Sequence, residues 1–111
     1  MKYFISSEER KVSRSTLYFE FQLGDYNGKH WLTDSICLHA DIFDDLALFE
    51  LFSQSINDFY YYGPTRISKD DWKMLVFNAQ KKESWKCVIN ELSFWVDNCF
   101  AKYECFTICG I

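Results

Sequence analysis

The chain contains few of the residues that interrupt regular structure, with Pro64 as its only proline and four glycines among 111 residues. A chain so poor in Gly and Pro, and 49% apolar, is too hydrophobic for intrinsic disorder. The four glycines are well separated, which excludes a Gly-rich phosphate-binding loop. We therefore expect a folded protein that forms one domain over residues 1–111.

Long apolar runs are also missing. No stretch approaches the roughly 18 apolar residues of a membrane-spanning helix, so no membrane association is expected. The N-terminal residues have one lysine before an apolar stretch that is too short for a signal peptide, which favours a cytoplasmic location. An odd number of cysteines in no familiar secreted spacing favours reduced thiols in a cytosol. These cysteines are Cys37, Cys87, Cys99, Cys105 and Cys109.

Basic residues are nearly absent from the middle of the chain. Residues 25–58 hold seven acidic side chains against Lys29 alone, and the whole chain has a net charge of −4. An acidic protein of this kind is a poor nucleic-acid binder. Its negative electrostatic field would instead speed association with a basic protein.

Aromatic residues are abundant, at 20% of the chain. Eleven Phe, seven Tyr and four Trp exceed what a small core needs, so some rings are expected at the surface, where Tyr and Trp are favoured binding anchors. The simpler alternative is that a small domain fills its core with rings.

Alternating hydrophobicity predicts the strands. Residues 16–23 (TLYFEFQL) predict a half-buried strand, with Phe19 and Phe21 on the core side and Glu20 and Gln22 on the other. Asn27-Gly28 predicts a hairpin turn, followed by an antiparallel strand over residues 29–40 with a bend near residues 33–35. Further expectations are an edge strand at residues 2–5, a loop at 6–15, and an edge or middle strand at 104–109.

Helical periodicity dominates the second half. Asp41 is the expected N-cap of a helix that continues to about Ser55 and has a wide apolar stripe. Gly63-Pro64 ends this part of the chain, and Ser68 and Ser84 are expected to cap two more helices. The predicted class is α+β: an antiparallel sheet of about four strands, made by an N-terminal hairpin and a C-terminal strand, packed against about three helices.

No catalytic motif stands out in the sequence. Cys37 and His39 share one face of a predicted strand and could form a thiolate–imidazole pair or bind a metal. A zinc signature of paired Cys-x-x-Cys type is not formed by these residues, nor by Cys105 and Cys109. A structural role is therefore favoured for them. We expect a protein that is not an enzyme and uses no cofactor or metal.

The best candidate for a binding surface combines acids with rings. Asp58 precedes four consecutive aromatic residues, Phe59 to Tyr62, and such rings beside charge are typical of a protein-binding hot spot. Alternatively, the acids cap a helix and the rings cover the core. The predicted partner-binding residues are Asp34, Asp41, Asp44, Asp45, Asp58, Tyr60, Tyr61 and Tyr62.

Residues 61–72, YYGPTRISKDDW, give the aromatic–Gly-Pro–cap–helix junction seen in several bacterial immunity proteins. In this segment and in its size, acidity and aromatic content, the chain resembles immunity proteins of polymorphic toxin systems, including contact-dependent growth inhibition. The resemblance implies a cytoplasmic protein that binds and neutralises a cognate toxin C-terminal domain, often a nuclease with a basic cleft. Two alternatives remain open: another protein-interaction module or complex subunit, and a small enzyme using Cys37 and His39.

Overall fold

A computed structural model describes residues Met1–Ile111. The fold is α+β, as predicted, with five strands and five helices rather than about four and about three. In chain order the elements are β1 Phe4–Ser6, α1 Ser7–Ser13, β2 Tyr18–Leu23, β3 Ile36–His39, α2 Ala40–Asp45, α3 Leu48–Ser55, β4 Pro64–Ser68, α4 Lys69–Ala79, α5 Glu83–Phe100 and β5 Cys105–Cys109. None of the helices is long and apolar enough to cross a membrane.

The five strands form one sheet in the order β1-β3-β2-β5-β4, and every neighbouring pair is antiparallel. The predicted edge strand near the N-terminus is confirmed as β1, and the C-terminal strand β5 takes a middle place. The sequence did not predict β4. Pro64 begins it, and proline is tolerated there because β4 lies at the edge of the sheet.

Helices α2 to α5 cover one face of the sheet and enclose a cluster of 23 buried residues. Phe19 of β2 stacks on Phe43 of α2, with ring centroids 4.1 Å apart. The ring of Phe106 on β5 packs edge-on against Trp72 of α4, with ring centroids 6.2 Å apart. It also packs at a tilt against Phe100 of α5, with centroids 5.8 Å apart. Burying a Phe-sized side chain contributes about 1.5–3 kcal/mol, so these rings hold the helices on the sheet.

The loop predicted at residues 6–15 is wrong, because α1 forms there. The hydroxyl of Ser6 accepts from the N–H of Glu9 at 3.1 Å, and the carboxylate of Glu9 accepts from the N–H of Ser6 at 3.0 Å. This reciprocal capping box satisfies two backbone donors that a helix start leaves without partners. The Ser-x-x-Glu spacing was the available signal in an otherwise polar segment.

The predicted antiparallel pairing of the two strands is confirmed, but the predicted start of the second strand is wrong. Strands β2 and β3 pair antiparallel, but β3 begins at Ile36 instead of residue 29, just after the predicted bend. Residues 24–35 form a long connection, here called the covering segment. It folds over the sheet because the backbone N–H groups of Trp31 and Leu32 donate to Glu20 instead of to a neighbouring strand.

The single helix predicted from Asp41 is two helices, α2 and α3, separated at Ala47, whose φ is 53°. The indole N–H of Trp85 donates to the carbonyl of Leu46 at 2.8 Å, so that carbonyl is used by a tertiary contact at the break. The N-cap is His39, whose Nδ1 accepts from the N–H of Asp41 at 3.0 Å. Asp41 lies in the first turn and is not the cap.

The two predicted serine caps have different outcomes. Ser68 caps α4, and its hydroxyl accepts from the N–H of Asp71, which confirms that prediction. Ser84 is not a cap, because α5 starts at Glu83 and its N-cap position is Lys82. Lys82 makes no side-chain cap bond there, although its ammonium lies 4.5 Å from the ring centroid of Trp85.

Candidate aromatic and acidic binding site

The segment with four consecutive rings, residues 59–62, joins α3 to β4, and two hydrogen bonds hold its backbone. The N–H of Tyr60 donates to Oγ1 of Thr65 at 3.0 Å, and the N–H of Ile111 donates to the carbonyl of Tyr61 at 3.0 Å. A Cβ on Gly110 would lie 1.8 Å from that same carbonyl oxygen, so only glycine fits there. The rings therefore sit on a fixed backbone.

The rings of the segment alternate between the core and the surface. Tyr61 turns inward, its ring meeting Phe19 edge-on at 5.1 Å, and Phe59 is also half-buried. Tyr60 and Tyr62 turn outward, with 57% and 67% of their surfaces exposed. Phe59 and Tyr61 thus help to cover the core, whereas Tyr60 and Tyr62 are open to solvent.

A third exposed ring comes from α3. Phe49 is 46% exposed, and its ring centroid lies 6.1 Å from that of Tyr61. Tyr62 packs against Tyr61 at 4.9 Å and against Tyr60 at 6.1 Å. We call Phe49, Tyr60 and Tyr62 the aromatic patch.

Acidic side chains of α2 adjoin the patch. The hydroxyl of Tyr61 donates to a carboxylate oxygen of Asp44 at 3.1 Å. Burial, this hydrogen bond and the negative charge of Asp44 raise the pKa of Tyr61, and Asp41 contributes to the same shift. Asp41, Asp44 and Asp45 are all exposed. The structure thus brings Asp41 and Asp44 to the rings, with Asp45 beside them on the same helix.

The other two predicted acids are placed differently. Asp34 precedes β3 and Asp41 follows it, so the two lie at opposite ends of that strand. The carbonyl of Asp34 accepts from the indole N–H of Trp95 on α5 at 3.1 Å, away from the aromatic patch. Asp58 is exposed directly before Phe59, in the left-handed region with a φ of 59°. Asp58 therefore remains next to the rings and Asp34 does not.

The Cys37–His39 pair is poorly placed for nucleophilic chemistry. Burial, and then the charge of Glu20, raise the pKa of Cys37 to about 12, so its thiol is protonated at neutral pH. His39 uses Nδ1 as the N-cap acceptor of α2. The two side chains therefore serve packing and capping in this structure.

Sequence reasoning missed Glu20, which it placed on the solvent side of β2. Glu20 is fully buried under the covering segment and its carboxylate accepts four hydrogen bonds. The donors are the N–H groups of Trp31 and Leu32, the hydroxyl of Ser35 and the amide of Gln22. Alternation identified the face correctly but carried no signal that the connection after β2 would cover it.

Two further groups border this carboxylate. Nδ1 of His30 lies 3.8 Å from Oε1 of Glu20, and Nε2 of His30 lies 2.9 Å from the hydroxyl of Tyr26. Cys109 of β5 is the direct cross-strand partner of Glu20 and is also buried. A histidine nitrogen, a carboxylate oxygen and a thiol sulfur thus lie close together where the covering segment contacts the sheet.

Comparison with protein-family models, curated protein sequences and solved structures gives no match to this chain. Function depends on the chemistry of the side chains at a site, and a fold alone does not establish it.

Proposed function

We propose that the chain is a cytoplasmic immunity protein that binds and neutralises a cognate toxin domain through the aromatic patch and the adjoining acids Asp41, Asp44 and Asp45. The observation that carries the proposal is the exposure of Phe49 on α3 and of Tyr60 and Tyr62 on a segment whose backbone is held by hydrogen bonds.

Fixed aromatic side chains are efficient binding groups. Tyr offers a large contact area with few rotatable bonds, so little conformational entropy is lost when a partner covers it. Hydrogen bonds at Tyr60 and Tyr61 already hold this part of the backbone in the free protein. Most of the interaction free energy of these rings is then available for affinity.

The acids beside the patch favour a basic partner. Exposed carboxylates at the rim of an interface raise the association rate with a positively charged surface, more strongly at low salt. A nuclease domain has such a surface because its cleft must hold phosphate groups. Covering that cleft would block substrate entry, which is how binding would give protection.

The primary experiment is capture of a partner from the native host, followed by co-expression of that partner with this chain. We expect a stoichiometric complex with the C-terminal domain of a larger toxin, and rescue of growth by the chain. A partner from a housekeeping complex, with no toxicity to neutralise, would support the alternative of another interaction module and overturn the immunity proposal.

Variants of the rings test the surface itself. The double variant Tyr60→Ala, Tyr62→Ala should weaken affinity about 100-fold, mainly through faster dissociation. The control is Phe77→Ala, Phe94→Ala, which removes two rings that are 68% and 82% exposed on α4 and α5. Equal losses in both double variants would show that the aromatic patch is not the binding surface.

Variants of the acids test electrostatic steering. Reversing charge at Asp44 and Asp45 should slow association about tenfold at low salt and make it less dependent on salt. The control reverses charge at Asp70 and Asp97, two exposed acids on α4 and α5. Unchanged association of the Asp44, Asp45 variant in stopped-flow measurements at low salt would remove these acids from the mechanism.

A further inference from the structure

We propose that Oε1 of Glu20, Nδ1 of His30 and Sγ of Cys109 form a binding site for a divalent transition-metal ion of zinc type. Ligand atoms of the three side chains all lie within 4.8 Å of one another. A nitrogen, a carboxylate oxygen and a thiol sulfur make up a donor set that suits zinc and is unsuited to magnesium or calcium.

The topology fixes two of these ligands on neighbouring strands. Glu20 of β2 and Cys109 of β5 are cross-strand partners in the middle of the sheet. His30 comes from the covering segment, and the next two residues, Trp31 and Leu32, donate their N–H groups to Glu20 at 2.8 and 2.7 Å. The carboxylate therefore holds the backbone that carries the third ligand.

The separation between His30 and Glu20 fits a metal better than a direct hydrogen bond. Their Nδ1 and Oε1 atoms are 3.8 Å apart, beyond hydrogen-bond range. In a tetrahedral zinc site with bonds of about 2.0–2.1 Å, nitrogen and oxygen ligands lie about 3.4 Å apart. A shift of a few tenths of an ångström in the exposed His30 ring would bring these two atoms to that separation.

The hydrogen bond on the other side of the His30 ring suits metal ligation. Nε2 lies 2.9 Å from the hydroxyl oxygen of Tyr26. When Nε2 donates its proton to that oxygen, the lone pair of Nδ1 faces Glu20 and Cys109. Metal-ligating histidines generally use the second ring nitrogen in this way, which fixes the tautomer and the ring orientation.

The carboxylate can accept a metal and still hold the covering segment. Oε2 of Glu20 keeps its bonds from Leu32 and from the hydroxyl of Ser35. The amide of Gln22, which donates to Oε1, also donates to the carbonyl of Lys29 at 2.8 Å. Gln22 therefore retains a partner if the metal takes its place at Oε1.

Charge balance favours the bound state. Binding breaks the S–H bond of Cys109, forms a sulfur–metal bond and releases the proton to solvent. Neutral His30, the thiolate and the Glu20 carboxylate then surround a dication, so the buried site becomes electrically neutral. Three protein ligands leave a fourth position for water or for a side chain of another molecule.

The competing interpretation is an ion pair between protonated His30 and Glu20 without a metal. Titration of the reduced, metal-free protein with Co²⁺ separates the two, because a thiolate ligand gives a cobalt charge-transfer band in the near ultraviolet. We expect this band to saturate at one equivalent in the unmodified protein and in Cys87→Ser, which removes the one exposed cysteine.

The same band should be lost in His30→Ala and in Cys109→Ser. His30 is 48% exposed, so His30→Ala is expected to keep the fold, which circular dichroism checks. Zinc should raise the thermal midpoint of the unmodified protein and leave that of folded His30→Ala unchanged. A missing band in the unmodified protein, a band retained in His30→Ala, or a band that depends on Cys87 would each overturn the site.

Discussion

The two faces of the sheet are both buried, yet they are built from opposite chemistry. The face under α2 to α5 is lined by rings such as Phe19 and Phe21, whereas the face under the covering segment carries Glu20, Gln22 and Cys37. All five side chains are essentially inaccessible to solvent. The alternation of β2 therefore separates an apolar buried face from a polar buried face, rather than an inside from an outside.

The two faces are stabilised by different interactions. Burial of rings against helices is non-directional and proportional to the apolar area removed from water. The covering segment lacks helix and strand, and it is held by directed hydrogen bonds to one carboxylate and by Arg10 of α1, which lies 4.0 Å from the ring centroid of Trp31. The faces should therefore respond differently to substitution.

The largest loss of stability is expected from a substitution on the face of the sheet that packs against the helices. Phe19→Ala removes a fully buried ring that stacks on Phe43, and should lower the free energy of unfolding by about 3–5 kcal/mol in urea denaturation. The matched control is Phe94→Ala, which removes a ring that is 82% exposed and should change stability by less than about 0.5 kcal/mol. Similar losses in both variants would contradict the assignment of the apolar face.

The second-largest loss of stability is expected from a substitution on the polar face under the covering segment. In metal-free protein, Glu20→Ala leaves three donors without an acceptor, the N–H groups of Trp31 and Leu32 and the hydroxyl of Ser35, and should lower the free energy of unfolding by about 2–3 kcal/mol. The loss should be local, with faster hydrogen exchange at the amides of Trp31 and Leu32 and little change at Phe106. Glu8→Ala, at an exposed carboxylate of α1, is the control. Uniform acceleration across the sheet would mean that both faces unfold together.

The smallest change in stability is expected at Tyr61, which lies between the apolar face and the aromatic patch. Burial first, and then the hydrogen bond to Asp44, raise the pKa of Tyr61 above its usual value. A raised folded pKa stabilises the protein below the unfolded pKa of about 10, and this stability is lost as pH rises through the folded pKa.

Asp44→Asn removes the charge next to this hydroxyl and should lower the Tyr61 pKa. The alkaline loss of stability should then shrink, by less than about 1 kcal/mol because the pair is near the surface. An NMR titration of labelled tyrosines measures the pKa directly, with Asp45→Asn as the control of equal charge. An unchanged Tyr61 pKa in Asp44→Asn would show that the charge of Asp44 does not contribute to the shift.

Local sequence signals predicted the parts of the fold that depend on neighbouring residues. The alternation of residues 16–23 predicted β2, and the Ser68 cap predicted the start of α4, because both patterns act within a few residues. The break at Ala47 was missed because it accompanies a contact from Trp85, far along the chain, to the carbonyl of Leu46. The position of β3 was missed because its preceding residues bond to Glu20 instead of continuing the strand.

The two candidate sites differ in the same way. Tyr60 and Tyr62 belong to one run of four consecutive rings, so an aromatic surface could be predicted from the sequence, although which rings face outward could not. Glu20, His30 and Cys109 meet only through strand register and the path of the covering segment. Neither of these is encoded by a local motif.

The position of β5 has a consequence for how the protein reaches its native state. β5 follows every other strand in the chain, yet it lies between β2 and β4 and pairs with both. On the ribosome, one edge of β2 and the native pairing edge of β4 would stay unpaired until β5 emerged, because no other strand of the native sheet pairs with them. The sheet would therefore close only after synthesis of this region, through contacts between distant parts of the chain, which slows folding and leaves a nascent intermediate prone to aggregation.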